Sequence, residues 1–231
     1  MPVQTEPPTT APPPSLAAGP RRPSRWSSVL LPVVVGVVLG PLDLLLQHLL
    51  PYPFANLAHS SALWALVAFG VGWSDRVRGR WWPAVAGTLT LLLAVEGYYL
   101  SAVLVLDEDL TTLTNTTAVL WLVFAVVAGV VFGTAGAWAQ SARARLGPLG
   151  TATAVGVLLA EAWLDLARVA GTQVGVAARQ DSVQTALVLL VLAGVTVVLA
   201  GRSARQRIVG LVLALPVALA GALAFETLGL G

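Results

Sequence analysis

With 57% hydrophobic and only 10% charged side chains in 231 residues, the chain is far from the roughly one-quarter charged usage of a soluble domain, and its composition leaves a polytopic membrane protein. Its 13 basic residues are all arginine, and the absence of cysteine excludes disulfides, thiolate nucleophiles and cysteine metal sites. The net charge is only +2, and the arginines sit in short connections suited to cytoplasm and lipid headgroups, so no nucleic-acid partner is expected.

Residues 1–25 are rich in Pro, Thr and Ala, run through Pro12-Pro13-Pro14 to Arg21, Arg22 and Arg25, and hold too few large apolar side chains to bury a core. They read as a disordered cytosolic tail ahead of a transmembrane domain over 26–231. The first apolar run, Val29 to Leu50, is too long for the ~7–15-residue core of a secretory signal. An all-α bundle follows, with seven transmembrane helices expected at 29–50, 57–73, 82–106, 116–138, 149–170, 184–200 and 208–228, each near the ~17–25 residues a bilayer needs.

The arginines alternate between the connections. Arg21, Arg22 and Arg25, then Arg76, Arg78 and Arg80, Arg143 and Arg145, and Arg202, Arg205 and Arg207 fall on one side; the other side has Asp107-Glu108-Asp109, a Pro51-Tyr52-Pro53 turn, and Arg179 beside Asp181. The positive-inside rule then puts the amino terminus in the cytoplasm and the carboxyl terminus outside. Trp26, Trp73, Trp81, Trp82 and Trp138 mark the inner boundary as an interfacial belt.

Each outward-running helix carries an acid late in its span: Asp43, Glu96, Glu161 with Asp165, and Glu226. Glu161, Asp165 and Arg168 stand at i, i+4 and i+7, one stripe of a helix, which should face protein or a wet cavity because intramembrane charge is costly. Gln47, His48, His59, Ser60, Ser61, Tyr98, Tyr99, Ser101 and the tryptophans Trp64, Trp121 and Trp163 fall at similar depth, while the inner half is nearly all Val, Leu, Ala and Gly. The candidate ligand-binding set is therefore Asp43, Gln47, His59, Trp64, Glu96, Tyr99, Trp121, Glu161, Trp163, Asp165 and Arg168. Hydrogen-bonding glue between helices is the plainer reading, but such contacts contribute only ~0.6 kcal/mol on average against ~2.5–3.5 kcal/mol for a charge at mid-span. Glu226, at the outer boundary, is simply wet.

Pro83 precedes Glu96, and Pro148 precedes Glu161, by the same interval, each after a basic loop, so the second and third predicted helices read as a parallel repeat of the fourth and fifth. Ala125, Gly129, Gly133 and Ala137, and Gly36 with Gly40, form small-residue rows for close helix contact. Pro41 and Pro216 lie inside spans, where they kink a helix or free a carbonyl.

At Gly40-Pro41-Leu42-Asp43, Asn56 to Trp64, Glu96-Gly97-Tyr98-Tyr99 and Glu161-Ala162-Trp163 the chain resembles a family of uncharacterised multi-pass membrane proteins of actinobacteria, a domain of unknown function. The resemblance covers most of the chain after the tail. It implies an actinobacterial plasma membrane and no mechanism.

The leading expectation is an outward-facing polar pocket that binds or translocates a small solute or cation. Its partners would be the lipid bilayer, that solute and, since no nucleotide-binding motif is present, separate energising or partner subunits. The second is a non-transporting scaffold or assembly partner. An intramembrane hydrolase using His48 and His59 comes third, because their spacing matches no metal-binding or nucleophile motif. No enzymatic activity and no cofactor are expected.

Overall fold

A backbone that crosses hydrocarbon must satisfy its own N–H and C=O groups, and the apolar segments accordingly fold as helices. A computed structural model of the protein describes residues 25–170 and 175–227. These form α1 (Arg25–Leu49), α2 (Phe54–Ala58), α3 (Ser61–Trp73), α4 (Trp82–Val105), a 3-10 turn (Leu110–Thr114), α5 (Thr116–Ala139), α6 (Leu146–Ala170), α7 (Val176–Ala200) and α8 (Ala204–Thr227). Of the expected tail only Arg25 belongs to the described residues, where it opens α1; residues 1–24 lie outside them.

Six helices, α1 and α4 to α8, are long and apolar enough to cross a membrane. The expected span over 57–73 differs from the rest. It breaks at His59-Ser60, leaving α3 with 13 residues, ~20 Å of helix against a hydrocarbon core of ~30 Å. The break has local causes: the Ser60 hydroxyl caps α3 by accepting from the Leu63 N–H at 3.2 Å, and the Glu161 carboxylate, from α6, accepts from the Ala62 N–H at 2.7 Å. Irregular backbone at membrane depth is tolerated where protein supplies such partners.

Glycine contacts give the helix directions. Gly36 lies against Thr90 and Gly40 against Ala94 and Tyr98, so α1 and α4 run parallel, and α2 with α3 must carry the chain back between them. Gly87 and Pro83 meet Gly129 and Gly133, making α4 and α5 antiparallel. Gly210 packs on Thr151, Gly156 on Val217 and Gly221 on Ala160, so α6 and α8 are again parallel, with α7 returning between them. The small-residue rows on α1 and α5 thus sit at the closest approaches, where a Cβ would collide with the neighbouring backbone. The two halves of the expected repeat differ in form, since α3 has 13 residues and α5 has 24.

One end of the bundle gathers the connections that carry Arg76, Arg78, Arg80, Arg143, Arg145, Arg202, Arg205 and Arg207. The Gln140 side chain donates to the Trp73 carbonyl and Arg202 donates to the Gln140 carbonyl at 2.6 Å. Gln206, buried, donates to the Ala139 carbonyl (3.0 Å), the Thr151 hydroxyl (3.1 Å) and the Ala200 carbonyl (3.2 Å), tying α5, α6 and α7 to the start of α8. At the opposite end Asp109 accepts from the Thr111 N–H at 2.8 Å, which holds its carboxyl below the usual aspartate value. Asn115 caps α5 through the Ala118 N–H at 2.8 Å. α1 and α8 continue as helices through Pro41 and Pro216. α7 begins eight residues before the expected 184, so Arg179 and Asp181 lie within its first turns.

Candidate functional site

α6 is the central helix, packed on α3, α5, α7 and α8, and the core around Val155, Leu158 and Leu189 is built on it. Two gaps remain in this packing: α5 and α8 form no extended contact, and neither do α1 and α3. The space between them is a cavity of about 480 Å³ that reaches from the middle of the bundle toward the end away from the arginines. Its walls are Asp43 from α1, Ser61, Trp64 and Ala65 from α3, Leu91, Val95, Tyr98 and Tyr99 from α4, Trp121, Phe124, Ala128 and Phe132 from α5, Val157 from α6, and Val217, Gly221 and Phe225 from α8, with His59 from the α2–α3 break. A smaller cavity of about 270 Å³, lined by Leu39, Leu42, Leu46, Leu63 and Val67, lies between α1 and α3 and shares Asp43 and Trp64 with the larger one.

Asp43 is the charge-bearing centre of this arrangement. It is 5% exposed, accepts from the Gln47 side-chain amide at 2.9 Å, and is hydrogen-bonded by the Trp64 indole across the α1–α3 gap. Gln47 also reaches the Tyr98 hydroxyl. Tyr98 and Tyr99 stand edge to face at 5.5 Å, and Trp121 does the same with Phe124 at 5.8 Å. These rings share the walls of one cavity with the Asp43 carboxylate, and aromatic quadrupoles favour cations.

The expected site residues divide into three groups. Asp43, His59, Trp64, Tyr99 and Trp121 line the cavity, and Gln47 backs Asp43. Glu161, Asp165 and Arg168 share a helix but do not line the cavity. Glu161 serves the first turn of α3, bonding the Ala62 N–H and the Ser60 side chain, while Asp165 is buried and pairs with the exposed Arg168 at 2.8 Å. Glu96 and Trp163 face outward, Trp163 at 62% exposure. A helix pattern locates depth but not azimuth, and the neighbour that determines azimuth is known only from packing. Phe124, Phe132 and Phe225 line the cavity without having been singled out, since an isolated Phe in an apolar span carries no signal of its own. Gln206 was equally hidden, between Arg205 and Arg207 in what reads as a loop. Among the described residues no three His, Asp or Glu side chains come together as a metal would require.

Long apolar helices enclosing a cavity at membrane depth define the class: this is an integral membrane protein of the multi-pass helical type. The chain belongs to the DUF6518 family of unknown function, whose family model matches residues 19–230. No curated protein and no solved structure matches it.

Proposed function

We propose that the protein resides in a bacterial plasma membrane of actinobacterial type, crosses it seven times with its amino terminus in the cytoplasm, and binds or translocates a small solute in the extracytoplasmic half. In this reading the α2–α3 break is the shortest crossing, and the arginine-bearing end is cytosolic. The observation that carries the binding role is the cavity of about 480 Å³, within the ~300–1,000 Å³ of small-molecule sites, with one buried carboxylate among aromatic rings. The pocket is more apolar than the residue pattern suggests, because Glu96, Glu161 and Arg168 are turned elsewhere.

The test is a thermal-stability screen of the purified protein against small amines, acids and neutral solutes. A solute present at a hundred times its Kd should stabilise the folded state by about 2.7 kcal/mol. Asp43→Asn should abolish that shift and leave the ligand-free melting temperature nearly unchanged, whereas Glu96→Gln should leave the shift intact. A screen without a single hit, or hits that survive Asp43→Asn undiminished, would remove the binding role.

A second reading is favoured by Glu96. It is exposed on α4, about 14 Å of helix short of the end at Val105, on a face that also shows Val85 and Leu100. A carboxylate on a hydrocarbon-facing surface suits an assembly partner whose helix brings a donor or cation to it. Co-purification of a membrane partner that is lost on Glu96→Ala, independent of added solute, would support the assembly role.

A further inference from the structure

The cavity has a side opening. Val127 and Val131 of α5 are 57% and 46% exposed while also lining it, and Ala224 of α8 does the same across the gap. Val127 lies about 18 Å of helix from Ala139, and Val217 about 20 Å from Ala204, so the opening is at the depth of acyl chains. Water-soluble ligands with several polar groups would lose their hydrogen bonds in this lining, in which Asp43, His59, Ser61, Tyr98 and Tyr99 are the conspicuous polar members. An alkyl or aromatic body would lose nothing.

At the far end stands Asp43, with two hydrogen bonds and no ion-pair partner: among the described residues the ion pairs are Arg78–Asp75 and Arg168–Asp165. An ionised carboxylate in this apolar surround would call for a cation, which no described residue supplies. Trp64, Tyr98, Tyr99 and Trp121 add ring surfaces to the walls of the same cavity. Building on the cavity reading above, we infer that the ligand is a lipophilic amine dissolved in the bilayer, which enters between α5 and α8 and seats its ammonium group on Asp43. The apolar body then lies along Phe124, Phe132 and Phe225. A neutral or anionic amphiphile of equal length leaves the carboxylate uncompensated and binds more weakly.

The experiment uses the full chain in lipid nanodiscs and three probes of one chain length: a bromoalkyl amine, the bromoalkyl alcohol and the bromoalkyl carboxylate, whose bromine quenches tryptophan on contact. Tetramethylammonium, which stays in water, is a fourth probe, read as a melting-temperature shift. Lipid-facing tryptophans quench in proportion to probe, so the cavity signal is the saturable component, and Trp64→Phe with Trp121→Phe should remove it. The amine is expected to saturate at a concentration at least tenfold below the alcohol and carboxylate. Asp43→Asn should erase that preference and Asp43→Glu restore it, while Val127→Phe with Ala224→Phe should slow quenching tenfold or more. Equal saturation by all three chains, or a preference that survives Asp43→Asn, overturns the amine; an unslowed rate in the double phenylalanine variant overturns lateral entry. Should tetramethylammonium or another aqueous solute bind while the amine does not, the cavity reading stands and this inference falls. If no probe gives a saturable component and no solute shifts the melting temperature, the cavity reading fails with it.

Discussion

Glu161 and Glu96 follow Pro148 and Pro83 at equal spacing, in helices of similar length, yet one is turned inward to the α3 terminus and the other outward. Removing the inward acceptor strands the Ala62 N–H in an apolar interior, which costs about 1–3 kcal/mol. Glu161→Ala should therefore lower the melting temperature clearly in detergent, Glu161→Gln, which keeps a carbonyl acceptor, much less, and Glu96→Ala not at all in the isolated protein. Equal losses for both alanine variants would contradict these assignments. The depth of Asp43, Trp64, Tyr99 and Trp121 was legible from their places along each span. Which of the acids would share a cavity was not, because azimuth depends on the neighbouring helix.

Among the elements, α3 shows how a hydropathy window misleads. His59, Ser60 and Ser61 scarcely dent the mean over 57–73, so the stretch reads as one helix, but a hydroxyl cap at Ser60 and a carboxylate supplied from a distant helix make a new start more favourable. The small-residue rows fared better, since close approach of backbones needs glycine wherever helices cross. Gly72 abuts Gly133, and Gly136 abuts Phe69 and Trp73, so Gly72→Val or Gly136→Val should cost about 1–3 kcal/mol or more by overpacking. Gly70 and Gly194 have open space beside them, and Gly70→Ala or Gly194→Ala should stabilise by about 0.5–1 kcal/mol through helix propensity alone. Thermal unfolding of these four variants separates packing glycines from lipid-facing ones; a destabilised Gly194→Ala would point to an uncounted contact there.

For the whole molecule, the alternation of arginine-bearing and arginine-free connections agrees with the helix directions read from the glycine contacts, and this makes topology testable. As the chain has no cysteine, single substitutions report cleanly. Arg78→Cys, Ala144→Cys and Ser203→Cys should be protected from a membrane-impermeant maleimide applied outside cells, and Thr111→Cys and Thr112→Cys should react. The reverse pattern would place the cavity on the cytoplasmic side, and labelling of both sets would show that the arginine-bearing loops do not share one face.

Membrane residence, the approximate ends of most helices and the gathering of arginines on alternate connections follow from composition and order alone, because partition into hydrocarbon is a property of each segment taken separately. The cavity, its side opening between α5 and α8, the solitary carboxylate of Asp43 and the capping of α3 by Glu161 belong to the tertiary structure. Those features depend on which face each helix turns to which neighbour, and facing is settled by contacts between segments remote in the chain.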